Sequence, residues 1–118
     1  MIILGIETSC DETAISVVRA EGEIEAPIFE VLGSSVQSQV DIHKEYGGVF
    51  PTLAKREHIR NLPAVLIEAL KQANLISNFH FSISNESQRP EEVWKDFFDK
   101  LPKVDIDMIA VTVGPGLE

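Results

Sequence analysis

The sequence predicts one α/β domain with its elements in the order β-β-β-α-(α)-β. Three patterns carry that reading. Residues 2–6, Ile-Ile-Leu-Gly-Ile, form the short continuous apolar run of a strand buried on both faces. "TAISVVRA" follows within a few residues and is rich in β-branched side chains, which pairs it with the first run as a hairpin. Beyond Pro51 the period changes: Leu53, Ala54, Ile59, Leu62, Val65, Leu66, Ala69 and Leu70 recur at spacings of three and four, the signature of a helix with one apolar face.

Taken in order, strands are expected near 2–8, 13–20 and 27–37, the third within "APIFEVLGSSVQSQV". "HKEYGGV" then breaks regularity with two adjacent glycines. The helix over 51–73 starts well with Pro51 in its first turn. Pro63 falls inside the pattern and lacks a backbone donor, so it is expected to kink the helix or split it near 60–63. Residues 77–89 are Ser/Asn-rich and read as a loop. "PEEVWKDFFDKL" restarts a helix with Pro90 in the first turn, two glutamates at its positive end, and an apolar face of Val93, Trp94, Phe97, Phe98 and Leu101. A strand near 106–112, "DMIAVTVGPG", runs into a glycine turn and is expected parallel to the first strand, with the 51–73 helix on one face of the sheet. The chain stops at Glu118 with no element to close it, which reads as a cut through a longer protein.

Composition narrows the functional classes. With 10 Lys plus Arg against 19 Asp plus Glu, the formal charge of −9 argues against this segment supplying the main phosphate-binding surface for a nucleic acid. A single cysteine, Cys10, forbids an internal disulfide and fits a reducing compartment. No basic leader or long apolar stretch is seen, so the expected location is the cytoplasm, with no membrane contact.

Three stretches hold chemistry-bearing residues. "GIETSCDET", residues 5–13, places Glu7, Ser9, Cys10, Asp11 and Glu12 between two strands, without the glycine that an ordinary tight hairpin uses. In such a turn, aligned amides bind an anion and a nearby carboxylate holds a cation or orients a water. The alternative is a solvated acidic turn. "HKEYGGVFPTLAKREH", residues 43–58, gathers His43, Tyr46, Arg56 and His58 around Gly47-Gly48. Arg56 and His58 also read as residues of a solvated helix face or as caps of a neighbouring element. "VGPG", residues 113–116, offers Gly114 and Gly116 after a strand, where phosphate-binding turns occur, but lacks the lysine and hydroxyl of a P-loop.

Together, "GIETSCDETA", "H-x-x-YGGV-x-P-x-x-A-x-R-x-H" and "AVTVGPGL", in that order, resemble the Gcp/TsaD family in its bacterial and mitochondrial branch. This is the tRNA N6-threonylcarbamoyladenosine synthase family, formerly described as O-sialoglycoprotein endopeptidase. The resemblance covers most of 1–75 and 104–117. It implies an actin-like ATPase (ASKHA, ribonuclease H-like) fold, of which this chain is the incomplete βββαβ core of the first lobe, with the second lobe absent. The implied activity is transfer of a threonylcarbamoyl group from threonylcarbamoyl-AMP to N6 of adenosine 37 in tRNAs reading ANN codons. Asp11 and Glu12 match the acidic pair that activity requires. Ser9 and Cys10, with Gly114 and Gly116, match turns beside the cleft, and Glu7, His43, Tyr46, Gly47, Gly48, Arg56 and His58 are the remaining motif positions.

The resemblance further implies one iron or zinc ion in the full-length protein. Its ligands are a His-x-x-x-His pair and an Asp that fall beyond residue 118, so His43, His58 and His80 are not promoted to ligands and none is expected in this segment. Implied partners are a TsaB-like paralogue, a TsaE-like ATPase and tRNA. Residues 77–103 read as an insertion that packs Trp94 and Phe97 onto the core. The segment alone is expected to be inactive and to self-associate through 59–70, using Ile59, Leu62 and Leu66. Two other readings are weighed: a non-catalytic interaction module of the same fold, and a metalloendopeptidase, for which the helical His-Glu-x-x-His is missing.

Overall fold

The computed structural model describes residues 1–49, 51–83 and 89–113. Four strands, β1 (Ile2–Glu7), β2 (Glu12–Glu23), β3 (Ala26–Ser38) and β4 (Met108–Val111), combine with helices α1 (Val40–Lys44), α2 (Pro51–Gln72) and α3 (Pro90–Lys100). They form one mixed sheet in the order β3-β2-β1-β4. β1 runs antiparallel to β2, with Leu4 opposite Val17, and parallel to β4, with Leu4 opposite Ile109. β2 and β3 make the long hairpin, whose register shifts between Val17 and Val18 so that Leu32 is the extra residue of a bulge. The expected antiparallel run, the parallel fourth strand and the helix on one face are all present.

Alternation along the strands decides which face is covered. Leu4, Ile15 and Val17 point to one side and are buried together with Val65, Leu66, Ala69 and Leu70 of α2 and with Phe97 of α3. The helix lies unusually close to β3 at Gly33, where an added Cβ would sit 2.3 Å from the Ala69 carbonyl oxygen. The other face has a floor of small side chains, with Gly5, Ala14, Ser16, Ser34 and Ala110 around an open hollow.

Two expectations need correction. His43 and Lys44, read as the start of an irregular stretch, and Val40, read as the end of the third-strand stretch, belong to the single-turn α1, and Tyr46 N–H closes the next turn onto the His43 carbonyl. The second correction concerns Pro63, which does not split the helix, because α2 is continuous for 22 residues. The missing proline N–H would have bonded the carbonyl four residues earlier, that of Ile59. Trp94 Nε1 donates to that carbonyl at 3.3 Å, so α3 supplies the hydrogen bond that Pro63 cannot. α2 ends at Gln72, and just beyond it Asn74, with φ of 58°, lets the Leu75 N–H bond back to the Leu70 carbonyl. Among the described residues no helix is long and apolar enough to cross a membrane.

Candidate active site

The parallel strands β1 and β4 end side by side, and the acidic turn lies at that end. Ligands of sheets with parallel strands gather at the carboxyl ends of those strands, where loops rather than side-chain layers set the surface. Glu7 closes the turn on one side. Its carboxylate accepts from the Ser9 N–H at 2.7 Å and from the Ser9 and Thr112 hydroxyls. The Ser9 hydroxyl, then Thr112, then the Ser9 amide hold the Glu7 carboxyl below the ordinary glutamate value, against a small opposing effect of burial. Glu7 therefore ties the ends of β1 and β4 together.

The far side of the turn is held by α2. His58 is buried and lies against the turn: Nε2 is 2.7 Å from the Cys10 carbonyl and Nδ1 is 2.7 Å from the Thr13 hydroxyl. A carbonyl only accepts, so Nε2 carries the proton and Nδ1 accepts from Thr13. Gln39, fully buried, sits behind the ring. Its amide nitrogen is 3.3 Å from His58 Nδ1 and 3.4 Å from the Ala54 carbonyl, and its Oε1 accepts from His43 Nε2 at 2.6 Å. The Gln39 backbone N–H also donates to the Asp11 carbonyl at 2.7 Å. Among the described residues no buried side-chain polar atom lacks a partner.

The turn backbone is thus held on both sides, while Asp11 is half-buried and Glu12 exposed, and neither carboxylate has a hydrogen-bond or ion-pair partner among the described residues. The Cys10 thiol is exposed. Between the turn and the start of α2 lies a cleft of about 350 Å³ lined by Thr8, Ser9, Cys10, Pro51, Ala54, Lys55, His58 and Ile59.

The second motif divides. Tyr46 and Arg56 share a shallow hollow with Thr52 and Leu53, on the outer side of α2. Arg56 is in solvent beside Glu57, at 3.7 Å. His43 and His58 instead turn inward and meet on Gln39. The solvated-face reading therefore fails for His58, because α2 turns this position under the acidic turn. Gly47, with φ of 73°, takes the left-handed backbone that lets the chain reverse between α1 and α2, and Gly48 follows it in the exposed link. Gly114 and Gly116 lie outside the described residues. Thr13 and Gln39 were missed from sequence: a threonine at a strand start and a glutamine in a polar stretch give no periodic signal of burial.

The donor set here does not fit a metal. No group of three or more His, Cys, Asp or Glu converges among the described residues, and the inward His58 and His43 nitrogens face Thr13, Cys10 and Gln39 rather than a common point.

Comparison with known proteins gives the same direction. A profile described as TsaD: tRNA N6-adenosine threonylcarbamoyltransferase matches residues 30–78. A protein of that name from Thermosipho melanesiensis is 42% identical over 117 residues, 99% of this chain and 26% of the relative. One from Fusobacterium nucleatum is also 42% identical, over 99% of this chain and 25% of its own length. One from Bacillus anthracis is 44% identical over 98% of this chain and 24% of its own length. The chain is similar to the TsaD family along nearly its whole length. It spans about a quarter of the length of these curated relatives. The similarity to these relatives extends across the acidic turn, α2, α3 and β4.

Proposed function

We propose that this chain is part of a tRNA N6-adenosine threonylcarbamoyltransferase, in which it supplies the acidic turn of the transfer site. The observation that carries the reading is a turn fixed by Glu7, His58 and Gln39, with Ser9 and Cys10 lining a cleft and Asp11 and Glu12, next in the chain, keeping unengaged carboxylates. In the reaction, N6 of adenosine 37 attacks the carbamoyl carbon of threonylcarbamoyl-AMP. The N–C bond forms, the C–O bond to the phosphate breaks, AMP leaves with the electron pair, and N6 gives up a proton. A carboxylate at Asp11 or Glu12 suits the last step, orienting the amine and accepting its proton, because a fixed base loses little to reorganisation.

On this reading the sheet is the core of the first lobe of an actin-like ATPase fold, and residues 77–103 are an insertion of that lobe. The fold reading rests on the βββαβ order together with the similarity to the TsaD family. Ser9, Cys10, Gly114 and Gly116 would flank the substrate phosphate. The implied iron or zinc ion would be held by residues outside these 118. The protein would work in the cytoplasm with a TsaB-like paralogue, a TsaE-like ATPase and tRNA. Self-association of the isolated segment through 59–70 would rely on Ile59 and Leu62, since Leu66 lies in the core.

The test is reconstitution of the full-length protein with its paralogue, threonylcarbamoyl-AMP and unmodified tRNA, followed by nucleoside mass spectrometry. Formation of threonylcarbamoyladenosine at position 37 is expected. A protein that binds the paralogue yet never modifies tRNA would instead mark a non-catalytic module.

A further inference from the structure

We propose that His58 is a positioning residue for the acidic turn, acting through the Cys10 carbonyl and the Thr13 hydroxyl on either side of Asp11 and Glu12 rather than on substrate. The inference rests on the transferase reading for its kinetic consequence, though not for its structural one.

The geometry is directional. One imidazole holds Cys10, just before the acidic pair, through Nε2–H at 2.7 Å, and Thr13, just after it, through Nδ1 at 2.7 Å. Its ring therefore spans the pair and fixes the path of the two residues between. Gln39 makes the clamp specific. Its Oε1 faces His43 Nε2, so its NH₂ faces Ala54 and His58 Nδ1, which reinforces Nδ1 as the acceptor and Nε2 as the donor. The same Gln39 holds the Asp11 carbonyl through its backbone N–H. Thr13 and Gln39 are both fully buried, so water does not compete for their bonds to the ring. Such a supporting shell lets two charged side chains stand free and still be well placed.

The experiment compares His58→Leu, His58→Gln and Thr13→Val in the full-length protein. It reads two quantities: transfer kinetics, and backbone amide exchange over residues 9–13. His58→Leu removes both ring contacts and is expected to speed exchange in this segment while leaving β1 and the rest of β2, from Ala14 on, protected. It should lower kcat at least tenfold with KM for tRNA changed less than about two-fold. His58→Gln, which keeps an N–H toward Cys10, should recover most of kcat, and Thr13→Val should fall between. Should His58→Leu fail to fold, Gln and Val still decide, because both keep the site filled.

Unchanged exchange over 9–13 in all variants, or a loss of kcat that tracks only the folded fraction, overturns the proposal. The transferase reading fails separately: there, Asp11→Asn keeps full activity, or the wild type has none, whereas amide exchange still reports on the clamp.

Discussion

Glu7 and the two carboxylates after it have opposite environments although only a few residues separate them. Glu7 accepts several hydrogen bonds and joins β1 to the residue after β4, so its charge serves structure. Its carboxyl titrates below the ordinary glutamate value, and a depressed carboxylate contributes stability above that value and loses it as pH falls through the folded one. The stability difference between wild type and Glu7→Gln is therefore expected to be full at neutral pH and to shrink once pH drops below about 4.5, the ordinary value. Denaturant midpoints across a pH series check this, and a difference that stays constant into acid would contradict it. The acidic residues were legible from sequence because a glycine-free turn with three carboxylates is unusual chemistry for a hairpin. The clamp was not. Helical periodicity around Ala54, Val65 and Ala69 says nothing about a histidine that faces a turn some forty residues earlier in the chain.

Among the elements, α2 shows how a local rule yields to a tertiary contact. Proline in a helix interior costs about 3 kcal/mol and usually marks a break. Here Trp94 donates to the carbonyl that Pro63 leaves unpaired, and the helix continues. Trp94→Phe should destabilise by about 1–3 kcal/mol, the cost of a polar group left without its partner. Adding Pro63→Ala restores a backbone N–H, so the double variant should lose less than the two single effects summed, as thermal or denaturant unfolding would show. Strict additivity would mean the indole bond contributes nothing.

Gly33 makes a second element-level case. A methyl group there meets the Ala69 carbonyl, and Gly33→Ala should cost about 1–3 kcal/mol by pushing α2 off the sheet. An unfolding midpoint equal to wild type would show that the helix shifts freely. The strands were readable from a continuous apolar run and β-branched richness, and α2 from its spacing of three and four. The close approach at Gly33 and the rescue at Pro63 were not, since each joins residues more than thirty apart in sequence.

For the whole molecule, the layer of α2 and α3 covers one side of the sheet, and the opposite side is a floor of small residues. The β2–β3 hairpin extends apolar side chains into solvent, with Ile24 95% and Phe29 62% exposed. At a formal charge of −9, repulsion between copies of the isolated segment opposes their meeting through such surfaces. Its sedimentation should therefore show mass rising with protein concentration, more so at high salt than at low. A monomer under every condition would mean these surfaces do not associate.

The central claim, that the free carboxylates of a clamped turn perform transfer, is tested most directly by one comparison. Full-length wild type and the Asp11→Asn/Glu12→Gln variant are assayed for threonylcarbamoyladenosine formation on the same tRNA, with melting temperatures measured in parallel. Surface substitutions of this kind usually change stability by no more than about 0.5 kcal/mol. The account predicts that modification falls at least a hundredfold while the melting temperature holds. Full activity in the variant would contradict it, and so would a loss explained by unfolding.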